Sequence, residues 1–122
     1  HQPRLLATQA AACAPIHQAF HHGQETVESV TVTPTVASGI AIGQPARGQE
    51  ILAALRATSG TVVQVSEGAL KETRNQLAQR GFYVEDTSAV AVAGLRELPE
   101  AQDTGPTVVV LTGHGLKIRY EP

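Results

Sequence analysis

Four consecutive apolar residues, Val108 to Leu111, stand between Thr107 and Thr112 and run directly into Gly113-His114-Gly115. A strand with one face in water alternates apolar and polar residues, so the unbroken run predicts a strand covered on both faces, as in a parallel sheet flanked by helices. Thr112 ends it. Gly113 and Gly115 then permit a sharp turn and close backbone approach, a common way for an α/β sheet to present a ligand site at the carboxyl ends of its strands. The same residues also suit a plain core strand closed by a tight turn, and both readings stay open at this point.

The rest of the chain supplies the other parts of such a sheet. Pro3 to Gln9 reads as a short strand and Ala14 to His22 as a helix, with Pro15 in the first turn, where its missing N–H is tolerated, and Gly23 as the stop. Gln24 to Val36 is rich in Thr and Val, hence extended, as an edge strand or a long connection; Pro34 argues against a central strand. Ala37 to Gly48 is a glycine-punctuated loop in which Gly39 and Gly43 also suit close approach to a flat ligand. Gln49 to Thr58 is a helix with Ile51, Leu52 and Leu55 as its apolar stripe and Gly60 as its stop, and Thr61 to Val65 is the next strand. Ser66 caps a helix that ends at Gly81, with Glu67 favourable to its dipole and Leu70, Thr73 and Leu77 on one face. Phe82 to Val84 is a short extended piece. Asp86, Thr87 or Ser88 caps a last helix through about Leu98, whose Ala89, Val92, Ala93 and Gly94 allow close packing on a sheet. Strands alternating with helices imply an α/β fold, a parallel sheet with flanking helices and right-handed crossovers.

Composition narrows the function classes. At 122 residues the chain has room for one domain with a real core, so 1–122 reads as a single unit. A net charge of -2, no basic run and only Phe20, Phe82, Tyr83 and Tyr120 as aromatics leave no electrostatic footprint or stacking platform for nucleic acid. No apolar run approaches the roughly 20 residues of a bilayer span, so no membrane association is expected. Cys13 is the only cysteine, which rules out an internal disulfide and fits a reducing, cytoplasmic setting. Leu5 to Cys13 is a poor lipoprotein signal, because Gln9 interrupts it and Ala10 stands where a larger aliphatic belongs. Cys13, His17 and His21 recur every four residues and carry the donors zinc prefers. A fourth ligand is missing, however, and Ile16, Ala19 and Phe20 must face a core, so a buried Cys13 with solvated histidines is the preferred reading and no metal site is expected. A chain that begins at His1 and contains no methionine reads as processed, or as a fragment of something longer.

Four segments, in order, resemble the threonine synthases, pyridoxal-phosphate enzymes of the β-family (fold type II). Arg4-Leu-Leu-Ala-Thr-Gln9 through Cys13-Ala-Pro-Ile-His-Gln-Ala-Phe20 is similar to a strand and helix of that family. Val36-Ala-Ser-Gly-Ile-Ala-Ile-Gly-Gln-Pro45 resembles a segment that threonine synthases share with threonine or serine dehydratases, and Gly81 to Gly94 resembles a third. Leu111-Thr-Gly-His-Gly-Leu-Lys117 closes the set and favours threonine synthase.

The resemblance implies that the chain is a C-terminal fragment contributing part of the large domain of an enzyme that converts O-phosphohomoserine and water to threonine and phosphate. It implies pyridoxal phosphate as cofactor of the parent enzyme, with Thr112 meeting the pyridine nitrogen through a hydroxyl, Gly113 next to it, Ser38, Gly39 and Ile40 beside the ring, and Glu85 and Ser88 at its rim. The family's proline after the glutamate is Asp86 here, which sets a second charge beside Glu85, so one carboxylate must face solvent or find a cation. The Schiff-base lysine and the glycine-rich phosphate loop belong to the N-terminal two-thirds of such enzymes, and Lys71 and Lys117 match neither motif. The chain alone is therefore expected to be inactive and not to bind the cofactor by itself. Its implied partners are the N-terminal part of the same enzyme, a small amino-acid substrate and further copies in a homo-oligomer. Two alternatives accompany this reading: a fragment of a threonine or serine dehydratase, and a stand-alone, non-catalytic binding domain. Exposed apolar surface favours a fragment, and a polar surface favours the module.

Overall fold

The computed structural model describes residues 2–98 and 105–117. Two strands, β1 (Leu6–Ala10) and β2 (Thr61–Val65), pair in parallel with Leu6 opposite Thr61 and Ala10 opposite Val65. Between them run α1 (Pro15–His21), a 3-10 turn (Ser38–Ile40) and α2 (Gly48–Ala57); after β2 come α3 (Glu67–Gln79) and α4 (Asp86–Leu95). A parallel α/β fold with flanking helices is thus what the chain adopts.

Side chains of a strand alternate between faces, and that parity distributes the helices. Val62, with Ala7 beside it, packs against Ile16 and Ala19 of α1 and Leu52 and Leu55 of α2. Val65 and Ala10 point the other way, into Leu70 of α3, Val90 and Ala93 of α4, and Ala37. α4 packs close on the strands: a Cβ at Gly94 would run into the Thr8 side chain and lie 3.2 Å from Val63 Cγ2. The small residues expected to permit close packing do so.

Local signals account for most of the element ends. Pro15 opens α1, and Gly23 follows it at φ 68°. The Ser66 hydroxyl accepts from Ala69 N at the start of α3, and Gly81 follows that helix at φ 88°. The residue in the left-handed region after α2 is Ser59 at φ 50° rather than Gly60; Gly60 is needed instead where the backbone meets the Leu5 carbonyl, which bonds Thr61 N at 2.9 Å. Residues 24–36 are a connection rather than a strand, tied by Val30 N to Gly43 O and by Thr33 N to Ala12 O. Cys13 is 1% exposed, while His21 and His22 are exposed and His17 is half-buried.

Two expectations require correction. The last helix stops at Leu95, and Glu85, not Asp86, Thr87 or Ser88, occupies its N-cap position, with no side-chain cap bond. The larger correction concerns Val108 to Leu111, predicted to be a strand covered on both faces. These residues form no strand, and Val108 is 87% and Val110 70% exposed. An apolar run becomes a buried strand only where a neighbouring strand takes up its N–H and C=O groups, and the two-stranded sheet of β1 and β2 does not extend to it. Among the described residues no helix is long and apolar enough to cross a membrane.

Candidate functional site

The first turn of α4 gathers the residues that the sequence singled out. Val84 and His114 form an isolated antiparallel bridge, reinforced by Gly115 N donating to Tyr83 O at 2.9 Å and Glu85 N donating to Gly113 O at 3.1 Å. This bridge sets Thr112 and Gly113 against the start of α4. Ser88, 2% exposed, accepts from Gly113 N at 2.8 Å, and its Oγ lies 3.0 Å from Thr112 Oγ1, where either hydroxyl can donate. Thr112 itself is exposed, with its hydroxyl held by Ser88 in a part-buried bond. No side chain fits at position 113, because a Cβ there would fall within the Glu85 carboxylate.

The Ser38–Ile40 turn reaches the same helix at the neighbouring residue. A Cβ at Gly39 would stand 2.9 Å from Thr87 Oγ1. Ser38 and Gly39 are exposed, whereas Ile40 is half-buried against the Ala37, Val65 and Val90 cluster. The three segments therefore meet at one helix end but do not share one concavity. Thr112 and Gly113 line a shallow one of about 260 Å³ with Tyr83, Val84, Leu111 and His114. Ile40 borders another, of about 230 Å³, with Gln9, Ile42, Pro45 and Ile51.

Of the two adjacent carboxylates, Asp86 is the one that finds a cation. It is 2% exposed, and its Oδ1 meets Arg74 Nη1 of α3 at 2.9 Å. A buried carboxylate without such a partner would be strongly penalised, and the ion pair anchors α4 to α3. Glu85 keeps its carboxylate over Gly113.

Several residues of this region were not anticipated. Tyr83 and His114 stack edge to face at 5.6 Å between ring centroids, and His114 Nδ1 accepts from Leu116 N at 3.1 Å, which leaves the ring proton on Nε2. Glu67 reaches back to Thr35 and to Val36 N. Arg74 joins α3 to α4. Glu67 was expected only to favour the α3 dipole, and nothing in the local pattern marks the partners of Glu67 or Arg74, since they lie 12 to 32 residues away. Chemically the centre of the cluster is neutral: two linked hydroxyls and a backbone N–H. Such a set can orient a polar ring edge and can donate or accept a hydrogen bond without delivering a full charge.

Residues 1–113 match the family described as pyridoxal-phosphate dependent enzyme. Among individual proteins, a threonine synthase of Methanosarcina acetivorans is 34% identical over 119 residues, and one of Synechocystis sp. is 38% identical over 117. Each alignment covers 94% of this chain, which spans only 29% and 28% of the length of those relatives. Among solved structures, a threonine deaminase of T.th. superposes with a TM-score of 0.62 at 23% identity, over 83% of this chain and 41% of that one.

Proposed function

Because the chain belongs to the family of pyridoxal-phosphate dependent enzymes, we propose that it is the C-terminal part of a threonine synthase-like enzyme, a lyase converting O-phosphohomoserine and water to threonine and phosphate. The observation that carries this reading is the Ser88–Thr112–Gly113 cluster, formed by the segments that resemble that family. Its chemistry fits one wall of a cofactor site, since a neutral hydroxyl suits a pyridine nitrogen and a glycine-lined turn suits a flat ring. Pyridoxal phosphate, when bound, supplies an electron sink for negative charge beside the substrate's amino carbon.

The residues of this chain then act as follows. Gly113 N donates to Ser88 Oγ, and Ser88 and Thr112 share a hydrogen bond that either can donate; with Ser88 as its donor, the Thr112 hydroxyl would have its own proton to offer the ring nitrogen. A hydroxyl at that position would not keep a proton on the nitrogen as a carboxylate would, a setting that would suit elimination and replacement at the substrate. Ser38, Gly39 and Ile40 would hold the ring's side and Glu85 its rim, a grouping that the family resemblance implies. The lysine and the phosphate-binding loop come from the preceding part of the same enzyme, and the 122-residue chain alone is inactive. A single buried cysteine goes with a cytoplasmic location.

A second reading, a threonine or serine dehydratase, fits the threonine deaminase likeness equally well, because that likeness supports a common fold and not a common substrate. The products separate the two. Full-length enzyme supplied with O-phosphohomoserine should release phosphate, and release of ammonia from threonine or serine would favour the dehydratase. Thr112→Val, which keeps shape and removes the hydroxyl, should leave the fold intact and slow turnover by up to a few kcal/mol of barrier. Unchanged turnover would remove Thr112 from the site.

A further inference from the structure

Glu67 opens α3, yet its carboxylate is spent on a distant segment. One oxygen accepts from the Thr35 hydroxyl, and the other accepts from Val36 N at 3.0 Å. Thr35 Oγ1 in turn accepts from Ala37 N at 3.1 Å. Ala37, fully buried, offers its carbonyl to Ile40 N at 3.0 Å, the bond that closes the Ser38–Ile40 turn. A continuous chain of hydrogen bonds thus runs from one carboxylate to the turn that abuts Thr87 on α4. Residues 24–36 form no strand, and besides this clasp their far end is tied through Thr33, whose N–H and hydroxyl donate to Ala12 O at 3.1 and 3.0 Å, and through Val36 packing against the core cluster of Ala37, Val65 and Val90.

From this geometry we infer that Glu67 is a positioning residue: by clasping Thr35 and Val36 it sets the Ser38–Gly39–Ile40 turn against α4 and so places one wall of the cofactor site. The inference rests on the proposed cofactor-site reading. A carboxylate suits the task because it can accept two hydrogen bonds at once, and a charged acceptor makes each one stronger than a neutral partner would. A purely local role, Glu67 complementing the α3 dipole, predicts something different. It would involve neither Thr35 nor the amides of Val36 and Ala37.

The test uses the full-length enzyme and compares Glu67→Ala, Glu67→Gln and Thr35→Val. Amide hydrogen exchange at Val36 and Ala37 should rise about tenfold or more in Glu67→Ala and in Thr35→Val, with partial rescue in Glu67→Gln, which still accepts from Val36 N. Cofactor binding, followed by absorbance, should weaken about tenfold in the same order, while the thermal midpoint shifts far less in Thr35→Val than in Glu67→Ala. Unchanged exchange in Thr35→Val would overturn the clasp. Faster exchange with unchanged cofactor affinity, while Thr112→Val still impairs turnover, would overturn the positioning role and leave the site reading standing. If Thr112→Val is also silent, the site reading itself falls.

Discussion

His17 shows how one residue's surroundings become a pH dependence. Its backbone N–H donates to Gln9 Oε1 at 3.0 Å, and its ring lies 4.4 Å from that of His21, one helical turn on. Burial first, then the neighbouring charges of His21 and His22, hold its pKa below the ordinary 6.5. The folded chain therefore binds this proton less tightly than the unfolded one. The stability tied to neutral His17 is fully present above about pH 6.5 and is lost as the pH falls through the lowered folded value. Denaturant midpoints measured on the acid side of neutrality should decline with pH, and His17→Gln should flatten that decline. Identical slopes would mean that the ring does not sense its neighbours. The sequence favoured a buried Cys13, and at 1% exposure it is buried; it also lies before α1, so only His17 and His21 of the three share that helix.

At the scale of elements, α4 lies close against the sheet, and Gly94 permits the approach. A methyl group there would collide with Thr8 of β1, and overpacking of this kind costs about 1–3 kcal/mol. Replacing a helical glycine by alanine gains about 1 kcal/mol of propensity, so the two effects oppose each other. Gly94→Ala should therefore be destabilising alone and turn neutral or stabilising when Thr8→Ser removes the clashing methyl. A double-mutant cycle by chemical denaturation reads the coupling directly. Additive changes would place the helix farther from the strand than the structure has it. Pro15 at the start of α1 and the Ser66 cap of α3 are local and were readable; the cap of α4 and the Arg74–Asp86 pair that anchors α4 to α3 were not, and only the packing of two helices brings those charges together.

The whole molecule leaves much apolar surface in water. Phe82, Val108, Val110 and Leu116 are all more than half exposed. A two-stranded sheet also has open edges, and such a surface in a chain spanning under a third of its relatives' length is one that other polypeptide would cover. The 122-residue chain prepared alone should associate as its concentration rises, and Val108→Lys with Val110→Lys should suppress this in sedimentation measurements. A wild-type chain that stays monomeric throughout would show that the strip needs no cover, which is what the stand-alone binding module requires.

What this chain's residues determined by themselves is whatever depends on near neighbours. Thr61–Val65 is a strand, Ser66 caps α3, Pro15 opens α1, and glycines follow α1 and α3, because β-branching, capping hydroxyls and backbone freedom act within a few residues. The segments around Ser38, Glu85 and Thr112 could also be singled out, through their resemblance to a family. Tertiary structure alone decided that these segments converge on one end of α4, that Asp86 rather than Glu85 pairs with a cation, and that Glu67 serves Thr35 rather than its own helix. It also left Val108, Val110 and Leu111 exposed, against their composition. The physical reason is common to all four: a hydrogen bond, an ion pair and a covered face each need a partner, and these partners lie far along the chain.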